Sequence, residues 1–558
     1  MKNLLKPSRL ALAVAAIALP LTATANQSLN AAGYASTIGG VINEGSVHSS
    51  SFNPAGNNLL VNKTDKFRFG YLSNLGGYIE IGESDDLDKK VDGLVDDMDA
   101  VDDFANLSNQ AYLANRYGAD KTEAEYYEAI AKRANTEIIA DLEKGGQLRA
   151  GGQLQVPLTP FLIRSEAARG TFSLNASVGG QVKGAFLGDK FGVKTTFKNT
   201  AGQDLGSLNI DIADAAGAYK KIEEEVNTWT GSSAVTANQI KRIENILKGN
   251  YADGTANPNG KNIIAGNEAA ITTLIAEAEK SGGSTVNTEV ESTITTNSGL
   301  DIKAARVAHL GFGYGTNLTN WLELNDKHGQ LEAGVRLNIY NVEAGRNFVS
   351  LQAEANDGNE DSDTSDKLTE DFLDNTKTTT GVGLDLGFLW HSDNYQAGIT
   401  FYNLNEPSFD YPDLNTYLSK TDGTLTALQG LEAAGKTKVA DSVKLTRHAV
   451  IEGAYYTDNR NWMIQGAYTL GKATNFVGDE FQTLHLSAGY YPKSAWIPGL
   501  RAGYSKNMKG SELSKIHAGA TFFGIMHLDV AVSPDTSSFD DSDIPRYAAI
   551  SLGFEEKF

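Results

Sequence analysis

Leu331-Glu332-Ala333-Gly334-Val335-Arg336-Leu337-Asn338-Ile339 changes character at nearly every step. Leu331, Ala333, Val335, Leu337 and Ile339 share one face of an extended chain, and Glu332, Arg336 and Asn338 share the other. A period of two makes this a strand with an apolar and a polar side. The reading repeats from Ala304 to the end of the chain. Val382, Leu384, Leu386, Phe388 and Trp390 oppose Asp385. Leu484, Leu486, Ala488 and Tyr490 oppose Thr483, His485 and Ser487, and Leu528, Val530 and Val532 oppose His527, Asp529 and Ser533. Two architectures use such strands. A soluble sandwich buries the apolar face, whereas a membrane barrel turns it to lipid and lines its interior with the polar face.

The chain ends favour the barrel. Lys2, Lys6 and Arg9 precede an apolar run from Leu10 to Leu21, and Ala23-Thr24-Ala25 supplies small residues for cleavage. Residues 1–25 therefore read as a signal peptide, with Ala23 and Ala25 marking the cleavage site and Asn26 the first mature residue. At the other end, Tyr547 to Phe558 alternates and finishes on phenylalanine. It resembles the C-terminal assembly signal of bacterial outer-membrane barrels at Ser551, Gly553, Phe554 and Phe558, while Glu556 stands where an apolar residue is usual. That resemblance implies the barrel assembly machinery and outer-membrane lipid of a Gram-negative cell as partners.

Aromatics near strand ends fit an interfacial girdle: Trp321, Trp390, Tyr411, Tyr455, Tyr456, Trp462, Tyr490, Tyr491 and Trp496. The connections alternate in length. Ser392-Asp393-Asn394, Asp458-Asn459-Arg460 and Phe523-Gly524-Ile525 read as tight turns, and 350–379, 404–444 and 533–545 as long polar loops. The expected fold is all-β, a transmembrane antiparallel barrel of about 14–16 strands over residues 61–558.

Two insertions interrupt the strands. Leu87, Val91, Leu94, Met98 and Val101 recur at spacings of four and three among aspartates, predicting a helix over 84–106 with a solvated acidic face. Tyr127, Ile130, Ala134 and Ile138 predict a second over 121–144. The insertion 84–145 is thus expected as a helical hairpin, and 213–300 as helices (219–248, 266–281) joined by linkers. Both are expected on the extracellular side.

Net charge −21 argues against nucleic acid as a partner, since its binding needs clustered Lys and Arg. With no cysteine there is neither a disulfide nor a thiol for redox chemistry. No cofactor or metal is expected, because the eight histidines have no close pair at ligand spacing. Three tempting motifs read as chance. Gly430 to Thr437 spells a phosphate-binding loop, but no strand is predicted to enter it. His391-Ser392-Asp393 gathers triad residue types in a turn, where they cannot converge. Asp357, Asn359, Asp361 and Asp363 lack the glycine and glutamate of a calcium loop. The chain is expected not to be an enzyme.

Asn53-Pro54-Ala55-Gly56, shortly after the signal peptide and ahead of Phe67 to Tyr71, resembles the FadL-type outer-membrane transporters. The resemblance implies that residues 26–60 form a hatch plugging the barrel, and that a small hydrophobic molecule such as a fatty acid is taken up. Gly70 to Asp97 resembles barrel proteins filed as conjugal transfer protein TraF-like. A second expectation is a docking or assembly protein, with the insertions meeting a protein partner and the barrel as anchor.

Overall fold

The computed structural model describes residues 34–558, apart from 62–64, 84–86, 122, 199–203, 212–220, 223–224, 226–227, 229–235, 259, 261, 263, 265–266, 281–288, 325, 354–374, 419–422, 540–541 and 556–558. The proposed cleavage residues Ala23 and Ala25, the terminal Phe558 and the Asp357–Asp363 run lie outside the described residues.

Fourteen antiparallel strands close into a barrel. They are β1 (Phe67–Ile81), β2 (Gln147–Gln155 continued by Phe161–Ser165), β3 (Gly170–Leu187), β4 (Gly299–Asn317), β5 (Gln330–Ser350), β6 (Thr376–His391), β7 (Tyr395–Tyr402), β8 (His448–Tyr456), β9 (Trp462–Leu470), β10 (Thr483–Tyr490), β11 (Gly499–Asn507), β12 (Ser514–Phe522), β13 (Met526–Val532) and β14 (Tyr547–Glu555). Each pairs with its sequence neighbours, and β14 returns to β1 with Gly76 opposite Ser551 and Tyr78 opposite Ala549. Among the described residues, closure leaves the barrel wall itself without an edge strand.

Burial decides between sandwich and membrane barrel. On β5, Val335 and Leu337 are exposed, whereas Glu332, Arg336 and Asn338 are buried. The inversion recurs in Leu384 against Asp385, Leu486 against His485, and Val530 against Asp529. An apolar exterior around a polar, hydrogen-bonded interior suits lipid and would be unstable in water. Among the described residues no helix is long and apolar enough to cross a membrane.

The wall is uneven. β3, β4 and β5 run for 18, 19 and 21 residues, beyond the roughly 9–11 that cross a bilayer. On β5 the alternation ceases at Ala344, and every residue from there to Ser350 is buried. The tall side is covered there by inward-folded connections. Loop 403–447 carries the helix Thr424–Ala433 and a hairpin of Ser408–Asp410 with Ser442–Lys444. Loop 471–482 carries a hairpin of Ala473–Thr474 with Glu480–Phe481. Phe409, Tyr411 and Phe476 from these loops pack on Tyr340 and Val342 of β5. The expected polar loop 404–444 is thus a folded plug, and Tyr411 belongs to that plug instead of a girdle.

The connections after β1, β3, β5, β7, β9 and β13 leave one end of the barrel, and Phe67, Glu555 and the connection 318–329 lie at the other. The three tight turns join β6 to β7, β8 to β9 and β12 to β13 at that second end. Trp321, Trp390, Tyr455, Trp462 and Trp496 are exposed towards it, while Tyr456 instead turns inward.

The two insertions pack on each other. Helices Leu87–Asp102, Leu107–Tyr117 and Glu123–Arg133 meet helices Ala237–Leu247 and Glu268–Lys280 in one core that includes Leu94, Val101, Leu113, Ile130, Ile243 and Ile271. Three departures from the sequence reading stand out. A third helix, Leu107–Tyr117, started by the Asn106 side chain, lies between the two expected ones. The second insertion also contains a strand, Glu289–Thr295, which pairs with Gly192–Lys198. Asp97, expected on a solvated face, is fully buried and accepts from Arg116 (2.9 Å), Arg133 (2.7 Å), the Tyr112 hydroxyl (2.9 Å) and the Tyr117 hydroxyl.

Candidate functional site: a hatch seated in the barrel

Residues 34–61 fold inside the barrel as short helical turns. Ser46 and Asn53 cap Val47–Ser51 and Pro54–Gly56 with their side chains, and Pro54 sits at the first helical position, where its missing N–H costs nothing. The segment has little helix of its own, so the wall must satisfy its backbone.

The wall does so strand by strand. His485 and Ser36 O are 2.7 Å apart, Gln465 donates to Ile38 O at 3.0 Å, and Gln396 and Tyr456 both donate to Ile42 O at 3.1 Å. Arg336 donates to Ser51 O at 2.6 Å while paired at 2.9 Å with the fully buried Asp385. Arg68 donates to Glu44 O at 2.8 Å and Leu60 O at 3.0 Å. Glu452 accepts the Asn53 side-chain amide at 2.8 Å and the Ile42 N–H at 2.9 Å. Glu555, on the last strand, accepts the Val47 N–H at 3.1 Å and the Ser46 hydroxyl.

The Asn53-Pro54-Ala55-Gly56 motif occupies a specific seat. Gly315, Gly334 and Gly387 stand in lateral register on β4, β5 and β6. A Cβ on Gly315 would lie 2.5 Å from Pro54 O, one on Gly334 2.3 Å from Pro54 C, and one on Gly387 2.0 Å from Asn53 Oδ1. Any side chain in this row would push the motif off the wall. Of the other residues singled out from sequence, Ser551 is buried on β14 in the lumen, while Gly553 and Phe554 follow it on the same strand.

Sequence reading missed Glu452, the Arg336–Asp385 pair and the glycine row. The row was within reach: Gly334 and Gly387 share the polar phase of their strands, and Gly311-Phe312-Gly313-Tyr314-Gly315 alternates glycine inward with aromatics outward.

Free space in the lumen includes three cavities. Two adjoining cavities of about 160 Å³ each lie between the hatch and loop 471–482 and share Phe481, Thr483, Ser505 and Lys515. A third, about 420 Å³, opens at the turn end beside Glu44, Arg460, Tyr491 and Lys493. None of these three is lined by Asn53 or Pro54.

One part of the wall is irregular. Strand β2 breaks between Gln155 and Phe161, and its neighbour β1 shifts register against β14 between Gly70 and Leu75. Leu158 is exposed in the break, and beside it Leu162 is buried against Val47, Leu60 and Val61 of the hatch.

Two of the three motifs set aside in the sequence fall on described residues. Gly430 to Thr437 lies at the C-terminal end of helix Thr424–Ala433, where carbonyls and not N–H groups point outward, and Lys436 pairs with Glu143 at 2.8 Å. His391-Ser392-Asp393 forms the β6–β7 turn, with His391 Nε2 3.5 Å from Glu332.

A family model described as "F plasmid transfer operon, TraF, protein" matches residues 51–468. No curated protein matches the sequence. Among solved structures, the toluene transporter TbuX of Ralstonia pickettii is similar at 9% identity and TM-score 0.35, over 94% of this chain and 97% of that one. The toluene transporter TodX of Pseudomonas putida is similar at 9% identity and TM-score 0.28, over 90% of each chain.

Proposed function

This chain belongs to the F plasmid transfer operon TraF protein family, and on that premise we propose that it is an outer-membrane barrel that passes small, largely apolar molecules, with residues 34–61 as the gate. The observation that carries this reading is the interrupted wall: apolar hatch residues Val47, Leu60 and Val61 meet Leu162 next to the break at 156–160, where Leu158 faces outward. An apolar solute leaving the lumen there would stay out of water. The hatch is held by hydrogen bonds, each worth about 1 kcal/mol net and individually exchangeable, which suits a gate better than a permanent filling. The test is entry of the apolar dye N-phenylnaphthylamine into cells producing the protein. Expression should raise uptake, and unseating the hatch with Glu452→Ala should raise it further at equal barrel content. Identical uptake with and without the protein would end this reading.

A second reading, a docking protein anchored by its barrel, is favoured by one observation. The insertions share a core, so they form a folded body on the long-loop end that passage through the lumen does not require. Because they support each other, both must be removed together. Loss of a co-purifying envelope protein on that deletion, with the barrel intact, would support docking; unchanged partners would count against it.

A further inference from the structure

We propose that the luminal wall at the long-loop end carries a binding site for a phosphate-bearing solute, built on a lateral row of four cations: Arg149, Lys183, Lys303 and Arg346. The row follows from register. Arg149 on β2 stands opposite Lys183 on β3, Lys183 opposite Lys303 on β4, and Lys303 opposite Arg346 on β5. All four side chains lie on the inner face. Like charges directly opposite on adjacent strands repel, and here three such pairs follow one another in a chain of net charge −21. The row therefore depends on anionic groups placed against it.

The row is neutralised by carboxylates, and two of these reach it from the inward loops. Asp479 of loop 471–482 lies 2.8 Å from both Arg149 and Lys183. Asp441 of loop 403–447 lies 2.5 Å from Lys303. The others come from the wall itself, Glu80 at 2.9 Å from Arg149 and Asp301 at 2.8 Å from Arg346. Beside the row an open vestibule of about 380 Å³ is lined by Lys183 and Lys303 together with Lys436 and Lys438 from the loop. Asp479 and Asp441 therefore stand where the oxygens of an anionic ligand would sit. Lysines grouped as point charges around a space this wide suit a multiply charged phosphate better than a single carboxylate. The inward direction of Lys183 and Lys303 selects a dissolved ligand, because a lipid head group outside the closed wall cannot reach them.

A ligand that takes this place must displace Asp479 from Arg149 and Lys183, which frees loop 471–482. Binding and release of the loop are then one competition, and the sign of its response to mutation is fixed.

The experiment is calorimetric titration of the detergent-purified full chain with inorganic pyrophosphate at low ionic strength, with acetate as the comparison. Pyrophosphate should bind saturably and more weakly as salt rises, and acetate should not. Lys183→Gln with Lys303→Gln should weaken binding at least tenfold, and Asp479→Asn should strengthen it several-fold by removing the internal competitor. Heat-modifiable gel mobility checks that each variant is folded. Absence of saturable pyrophosphate binding to both the native chain and the Asp479→Asn variant would overturn the proposal, as would equal affinity for acetate. The Asp479→Asn arm stands even if the double lysine variant does not fold.

Discussion

Glu452 on β8 holds Asn53 of the hatch at 2.8 Å with one carboxylate oxygen and the Ile42 N–H at 2.9 Å with the other. One wall residue thus fixes two hatch positions that are separate in sequence, and Asn53 uses its own oxygen to cap the next turn at Ala55. Glu452→Ala should loosen both positions by about 1–3 kcal/mol together. In a double-mutant cycle with Asn53→Ala, the second substitution should cost less in the background of the first. Protease sensitivity of residues 34–61 in the folded barrel reads this out, and strictly additive effects would show that the contact is not coupled.

Gly334→Val tests the seat of the motif. Its Cβ would fall 2.3–2.4 Å from backbone atoms of Pro54 and Ala55, which cannot swing aside as a side chain can. The hatch should leave its place and become protease-sensitive, while heat-modifiable mobility shows the barrel still closed. Full protection of the hatch in this variant would mean that the wall, not the motif, gives way.

Asp479 sets a pH dependence for loop 471–482. Burial alone would raise its carboxyl, but Lys183 and then Arg149 outweigh burial and hold it at about 2. An unfolded aspartate titrates near about 3.9. Because the folded value is the lower one, the stabilisation is fully present above about pH 4 and is lost as pH falls towards 2. Amide hydrogen exchange over 474–482, corrected for intrinsic rates, should accelerate in that window, and Asp479→Asn should abolish the change.

Asp97→Ala should unfold the body made by the insertions and spare the barrel. Removing a fully buried carboxylate leaves Arg116 and Arg133 without their shared partner, a loss of about 3–5 kcal/mol. Rapid proteolysis within 87–145, with unchanged heat-modifiable mobility, is the expected result. A resistant insertion would show that its apolar core suffices.

The barrel was legible because its strands carry a period of two in which each residue type states its face, as in Val335-Arg336-Leu337-Asn338. Whether the apolar face met lipid or a second sheet was not legible there, because alternation has no sign; the C-terminal segment, the aromatics near strand ends and the alternation of short and long connections were what favoured lipid. The plug in loop 403–447 was hidden since Phe409, Tyr411 and Phe476 pair across long sequence distances. Asp97 was misread for a related reason. Its four partners sit on two other helices, and helical spacing alone reports a face without saying what covers it. The Asn53-Pro54 motif was visible as a motif, but its receptor, a glycine on each of three strands, exists only once register is known.

Glu555 places a further condition on assembly. The last strand carries a receptor for Ser46 and Val47, made 509 and 508 residues earlier, and the same strand must zip to β1 to close the wall. Seam and hatch therefore inspect each other. A barrel that closed without its hatch would leave Glu555 without its Ser46 and Val47 donors, facing the His527 imidazole of the neighbouring strand at 3.7 Å, so a mis-seated hatch should be felt at the closing seam.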